Sequence, residues 1–339
     1  MRRTGQAALA LLLVSGPVAA QADSRIAAAV ADDASNAWRA DDLRVASVGE
    51  RLAVTALPLC RQPVARSGIA LHYLAQYAPR SRRQLSPLFP VNEAPAILLI
   101  VPGSAADRAG LRADDGLIAA DGNALPRERP GRTPTSRTLP LALAALDVAL
   151  SDGHADLTVR RGRHERRVAL TGTAGCATHF LTRPSASLDA EADGRFVQVT
   201  SANVALAADD AELAATLAHE LAHNILRHRE RLNAAGVQRG LAGQFGRNAA
   251  LIRASEIEAD RLSVWIMALA GYPPDAALRL LERRAARIGP VLATTHPGWD
   301  RRRAIIAEQI ALIDAVRAQN RPLVPPFDTS GDTPLMPDD

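Results

Sequence analysis

The residues best suited to chemistry are His219, Glu220 and His223, which form the pattern His-Glu-x-x-His. Residues four apart lie on one face of an α-helix, so both imidazoles can bind the same metal ion. Glu220 lies about 100° around the helix, where its carboxylate can reach a metal-bound water without occupying a coordination position. The pattern predicts one zinc ion per chain, with His219 and His223 as ligands and Glu220 as the catalytic base.

The alternative is that these are ordinary surface histidines of a helix. Against it stands an apolar stripe at helical spacing on the same segment, which indicates that the helix packs into a core. The stripe consists of Leu213, Leu217, Leu221 and Ile225.

A catalytic zinc site needs a third protein ligand and an open position. Glu256 is the candidate ligand, and Asp260 shares its helix face, where it can accept the outward N–H of a ligand histidine. A solvated acidic helix face is the alternative interpretation. His228 is rejected as a ligand because it lies well around the helix from His223, and we expect it to be a partly exposed structural residue.

Four segments together resemble the M48 (Ste24/HtpX-like) gluzincin peptidases, in particular their soluble bacterial envelope branch. They are residues 212–213, 218–224, 256–260 and 295–297. The resemblance implies that His219, His223 and Glu256 bind zinc and that Glu220 is the general base. It also implies that the predicted strand at residues 196–200 is the edge on which an extended substrate pairs.

His296 lies in a short segment before Pro297, which should begin the final helix. By resemblance, His296 faces the zinc cleft and either occupies the open position of the metal or polarises the substrate carbonyl. Its alternative role is a loop histidine that caps the helix.

These residues need helices to position them, and apolar periodicity predicts helices over residues 211–232, 248–270 and 299–317. The peptidase domain should therefore occupy residues 177–320, with a small active-site sheet. A Pro-rich tail, residues 321–339, is expected to be disordered.

Residues 61–172 contain short β-type runs and resemble a PDZ domain. The resemblance rests on residues 101–106, 109–111, 118 and 121–122, and residues 68–71 are a weak match to its peptide-carboxylate loop. A PDZ-like scaffold without a ligand is the alternative. The overall expectation is an α+β protein, with a mainly helical peptidase domain preceded by a β-rich domain.

Residues 1–22 have the basic, apolar and small-residue regions of a cleavable signal peptide, and residues 23–60 predict a helical segment. No stretch of the mature chain is expected to span a membrane. Export to the periplasm would favour a disulfide between Cys60 and Cys176, the only two cysteines, although two buried free thiols are also compatible with the sequence.

The composition excludes some functions. The chain has no lysine, which excludes catalytic-lysine chemistry, and its net charge of +4 comes without the basic, aromatic-interleaved stretches of a nucleic-acid surface. No nucleic-acid partner is expected, and the oligomeric state is left open.

The favoured function is a periplasmic zinc endopeptidase whose polypeptide substrates are misfolded envelope proteins, with the PDZ-like domain binding exposed tails or restraining the protease. One alternative is a chaperone or scaffold that binds unfolded envelope proteins with little or no cleavage. A weaker one is a zinc amidase acting on cell-wall peptides.

Overall fold

A computed structural model describes residues 39–238, 245–289 and 295–337. The predicted signal peptide and the first part of the N-terminal segment lie outside these residues. The described chain mixes helices and sheets, which confirms the α+β class.

The helices are numbered along the chain. They are α1 Ala40–Thr55, α2 Pro79–Leu85, α3 Ala105–Arg108, α4 Leu139–Ala149, α5 Ser201–Leu206, α6 Asp210–Ile225, α7 His228–Ala234, α8 Gly246–Leu269, α9 Ala276–Ile288 and α10 Trp299–Ala318. The strands are β1 Pro63–Arg66, β2 Ile69–His72, β3 Ala96–Ile100, β4 Gly116–Ala120, β5 Asn123–Ala124, β6 His154–Arg161, β7 His164–Thr171, β8 Thr173–Cys176, β9 His179–Arg183, β10 Ala190–Ala192 and β11 Phe196–Thr200.

The β-rich region is an antiparallel sheet in the order β2-β3-β4-β6-β7, with β5 paired to β4. Helix α4 packs on this sheet through an apolar stripe that includes Leu139, Leu143 and Leu146. The region therefore has a core of its own, and β2 lies at the edge of the sheet.

A narrow neck joins this region to the rest of the chain. Strand β1 enters the region and β8 leaves it, and the two pair antiparallel from Pro63 opposite Cys176 to Arg66 opposite Thr173. Cys60 and Cys176 form a disulfide at the base of this ribbon, with Cα atoms 5.4 Å apart, as predicted. The disulfide and the ribbon thus hold both ends of the β-rich region together.

The second core is mainly helical. Helix α6 lies at its centre against α1, α8 and α9, and a three-stranded sheet in the order β10-β11-β9 covers one side. The N-terminal helix α1 buries Val45, Val48 and Leu52 in this core. The β-rich region is therefore an insertion between α1 and the remaining helices.

Helix α6 begins at a capped N-terminus, where the Asp209 side chain accepts a hydrogen bond from the Glu212 N–H at 2.8 Å. Its predicted apolar stripe is buried. The prediction of one continuous helix to residue 232 is wrong, because α6 ends at Ile225 and Arg227 has a left-handed backbone with φ of 55°. The chain turns at this residue before α7 begins, since a helix cannot continue through positive φ.

The tail that was predicted to be disordered packs on the folded chain over residues 321–337. They form no helix or strand, yet Leu323 and Phe327 pack on the helical core and Leu335 is buried. Gly331 approaches the Leu226 carbonyl so closely that a Cβ there would lie 2.6 Å from its oxygen. Apolar side chains between prolines hold this segment on the surface, which composition alone does not reveal.

Helix α9 was not expected from the sequence. Among the described residues, no helix combines the length and the apolar character needed to cross a bilayer.

Candidate metal centre

Three side chains converge at the surface of α6. The Nε2 atoms of His219 and His223 lie 3.2 Å apart, and the two carboxylate oxygens of Glu256 lie 3.4 and 3.6 Å from them. Helix α6 supplies the imidazoles, one turn apart, and α8 supplies the carboxylate from across the helix–helix contact. Of all the described residues, these three form the one group of His, Cys, Asp or Glu side chains spaced to hold a metal ion.

Asp260 lies behind His219, one turn after Glu256 on α8. Its carboxylate is 3.1 Å from His219 Nδ1, an ion-pair distance without good hydrogen-bond alignment, and it accepts two hydrogen bonds from Arg302 at 2.6 and 2.8 Å. Burial raises the pKa of Asp260, but Arg302 and His219 outweigh it and lower that pKa below its ordinary value. The Asp260 carboxylate is thus held ionised, on the helix face that it was predicted to share with Glu256.

The charges around His219 favour a cation at this site. Burial lowers the pKa of His219, but the carboxylates of Asp260 and Glu256 outweigh it and raise that pKa above its ordinary value. His223, by contrast, has its pKa lowered, first by burial. Two nearly buried carboxylates around one imidazole favour positive charge there, which a proton or a metal ion can provide.

Glu220 lines the same cleft as the three converging side chains, on the helix turn that carries His219. Burial raises the pKa of Glu220 to about 7, and the His219 charge opposes this rise. A carboxylate with a pKa near neutrality is suited to accept and return a proton.

His296 stands on the wall of this cleft. Its side chain is 49% exposed, its Nε2 lies 3.8 Å from a Glu256 oxygen, and its Nδ1 lies 3.1 Å from the Thr295 hydroxyl. It therefore faces the converging ligands rather than the far side of the domain.

The predicted pairing edge needs correction. Strand β11 is the central strand of its sheet, because β9 and β10 occupy both sides. Within the described part of the chain, β10 is the strand with a free edge beside the cleft, and residues 188–192 line the cleft. The Thr200 N–H donates a hydrogen bond to the Asp189 carbonyl, and the Asp193 N–H donates one to the Phe196 carbonyl. The backbone groups of the odd-numbered residues in this segment therefore face β11. The backbone groups of Ala190 and Ala192 face the opposite way, outward from the sheet.

His228 also differs from its prediction. It is 2% exposed rather than partly exposed, and its Nδ1 lies 2.9 Å from the Nδ1 of His223. The turn at Arg227 brings it back toward α6. The predicted position of His228 required a helix that continues past residue 225, whereas α6 ends at Ile225.

The donor set fits zinc. Two imidazole nitrogens and one carboxylate are the ligands of a catalytic zinc site, and their spacing lets one ion contact all three. The other ring nitrogen of each histidine lies close to a polar group, 3.1 Å from Asp260 for His219 and 2.9 Å from His228 for His223. Metal-binding histidines generally have such a neighbour.

Sequence reasoning missed several residues around this centre, namely His228, Glu258, Arg302, Arg284 and Asn224. Arg302 and Arg284 lie on helices far along the chain, and no spacing signal connects them to His219. Glu258 was visible two residues after Glu256, but its partner is recognisable only once the helix break is known.

Comparison with known proteins agrees with this geometry. The model of peptidase family M48 matches residues 182–246, a segment that contains β10, β11 and the whole of α6. A search of curated proteins finds no match to the chain. Over this segment the chain is therefore similar to the M48 metallopeptidases, a zinc-dependent family.

Proposed function

We propose that this protein is a zinc-dependent endopeptidase that cleaves extended polypeptides. The observation that carries the proposal is the convergence of His219, His223 and Glu256 beside Glu220 in a cleft of about 550 Å³. The M48 match supports the hydrolytic, metal-dependent part of the proposal, and the open strand edge along the cleft supports a polypeptide substrate.

His219, His223 and Glu256 would hold the ion. When bound, zinc lowers the pKa of water and polarises a carbonyl group. Substrate backbone would pair with the outward groups of Ala190 and Ala192 on β10, which orients the scissile bond along the cleft.

Glu220 moves the proton in this proposal. Its carboxylate accepts a proton from the attacking water and then delivers it to the nitrogen of the leaving amine. Arg284, which lines the same cleft, would add positive charge to it. His296 acts at the cleft wall, either over the ligands in a closed state or on the substrate carbonyl.

The test is cleavage of casein by the purified protein. We expect activity that a chelator abolishes and zinc restores. Glu220→Gln should bind zinc as tightly as the parent and lose at least about 100-fold in kcat/KM, because the ligands stay while the proton acceptor goes. The matched control is Glu308→Gln on the exposed side of α10. Full activity in Glu220→Gln would refute the mechanism, and zinc binding without cleavage by the parent would favour the chaperone or scaffold.

The cellular setting is part of the proposal. We propose that the protein acts in the periplasm on misfolded envelope proteins. The signal-peptide pattern of residues 1–22 and the Cys60–Cys176 disulfide support an oxidising compartment.

We further propose that the β-rich region is PDZ-like and receives polypeptide tails. Support comes from a cavity of about 290 Å³ beside the free edge of β2 and helix α4. Asp147 of α4 closes one side of this cavity, accepting hydrogen bonds from Arg195 at 2.6 Å and His179 at 3.0 Å. The cavity thus lies against the sheet that carries β10, where bound peptide can restrain or release the protease.

This part is tested with fluorescent heptapeptides that end in a free apolar residue, compared with their C-terminal amides. Binding of the free acids by the parent would support a PDZ-like role. This binding should be lost in Ala70→Trp, because the indole fills the cavity. Equal binding of both peptide sets in Ala70→Trp and the parent would refute it.

A further inference from the structure

A buried chain of hydrogen bonds leads from His223 away from the candidate metal centre. His228 Nδ1 lies 2.9 Å from His223 Nδ1, and His228 Nε2 lies 3.1 Å from a Glu258 oxygen. Arg231 then contacts both Glu258 oxygens, at 2.6 and 3.1 Å. Both ring nitrogens of His228 have a hydrogen-bond partner, although His228 is almost wholly buried.

The chemistry of the centre dictates where the protons lie. His223 Nε2 faces His219 and Glu256, so Nε2 is the ligating nitrogen and the proton of the neutral ring sits on Nδ1. That nitrogen lies 2.9 Å from His228 Nδ1, which must then carry a lone pair to accept the N–H. His228 consequently holds its proton on Nε2 and donates it to Glu258. One assignment of protons satisfies all three groups.

The two ligand histidines are therefore supported in parallel ways. His219 faces the carboxylate of Asp260, which Arg302 holds. His223 reaches the carboxylate of Glu258, which Arg231 holds, through the additional imidazole of His228. Each ligand histidine is thus connected to a carboxylate that an arginine binds.

We propose that His228 and Glu258 are positioning residues of the metal centre, which hold His223 in its ligating tautomer and orientation and thereby set the zinc affinity. This inference rests on the proposed zinc site. The left-handed turn at Arg227 serves it, because a continuous helix would carry the residue 228 side chain away from His223.

The test is the Zn²⁺ dissociation constant, measured by competition with a chromophoric chelator, together with kcat and KM for casein. His228→Phe keeps a ring but removes both hydrogen bonds, and we expect zinc binding to weaken about 10- to 100-fold. His228→Gln can accept through Oε1 and donate through Nε2, so it should bind zinc within about threefold of the parent. At saturating Zn²⁺, kcat should recover in His228→Phe while KM stays unchanged. His164→Gln, on the exposed strand β7, is the control.

Unchanged zinc affinity in His228→Phe would overturn the inference, as would equal losses in His228→Phe and His228→Gln. If His228→Phe does not fold, His228→Asn replaces it, because asparagine is too short to reach both partners, and equal affinity of the Gln and Asn variants overturns the inference. A parent protein that binds no Zn²⁺ would instead refute the proposed function. The two failures are therefore distinguishable.

Discussion

The backbone N–H of Gly194 donates a hydrogen bond of 2.7 Å to the side-chain oxygen of Asn224, the residue that follows His223. The Asn224 amide nitrogen contacts the Thr178 hydroxyl and the Phe196 carbonyl at 3.2 and 3.4 Å. One side chain on the helix that carries the two candidate histidine ligands therefore holds the turn between β10 and β11. The strand edge and the candidate metal centre are fixed relative to each other through it.

Asn224→Ala tests this connection. Loss of these hydrogen bonds should lower the free energy of unfolding by about 1–3 kcal/mol and reduce kcat/KM for casein, because β10 is no longer held beside the cleft. Zinc affinity should not change, since the ligands and their partners are retained. Asn123→Ala, on the exposed strand β5 of the β-rich region, is the control. A loss of zinc affinity equal to the loss of activity would contradict this account.

Ala192→Pro tests the strand edge itself. The residue 192 N–H faces away from β11, so proline removes a donor available to substrate without breaking a bond to β11. We expect kcat/KM to fall about tenfold, a value in line with one or two lost hydrogen bonds, with zinc affinity unchanged. Ala192→Ser retains the N–H and should behave like the parent. Normal activity in the proline variant would mean that substrate does not pair with β10 at this position.

His296→Ala tests the cleft wall. Because His296 Nε2 stands 3.8 Å from Glu256 in this structure, we expect the ring to obstruct the centre and its removal to raise basal casein cleavage. Zinc should still bind through His219, His223 and Glu256. The measurement is the initial rate at saturating zinc, with the exposed His154→Ala as control. A fall in kcat would assign His296 to carbonyl polarisation instead.

The neck disulfide should contribute to stability. Cys60 and Cys176 are separated by 116 positions, and closing a loop of this length in the unfolded chain should stabilise the protein by about 2–5 kcal/mol. The Cys60→Ser/Cys176→Ser double variant should show that loss in denaturant unfolding. Reductant should destabilise the parent by a similar amount and leave the double variant unaffected. Identical unfolding of both proteins would argue against a stabilising role.

The local elements and the candidate ligands were predictable from the sequence because their signals are periodic. His219 and His223 at four-residue spacing, on a helix with an apolar stripe, identify a candidate metal-binding face from the sequence alone. The same reasoning located Glu256 and Asp260 on one face of a second helix. The even cysteine count similarly indicated the disulfide, whose geometry the fold supplies.

Only the tertiary structure decided which strand edge is free and what surrounds each histidine. A strand pattern identifies β11 as a strand but does not reveal that β9 and β10 pair with both its sides, because pairing depends on contacts between distant segments. His228 was misplaced for a related reason. A single residue with left-handed backbone angles, Arg227, redirects the chain. Apolar periodicity does not reveal the backbone angle of one residue. The sequence thus determined which groups are candidates for the chemistry, and the fold determined which groups hold them.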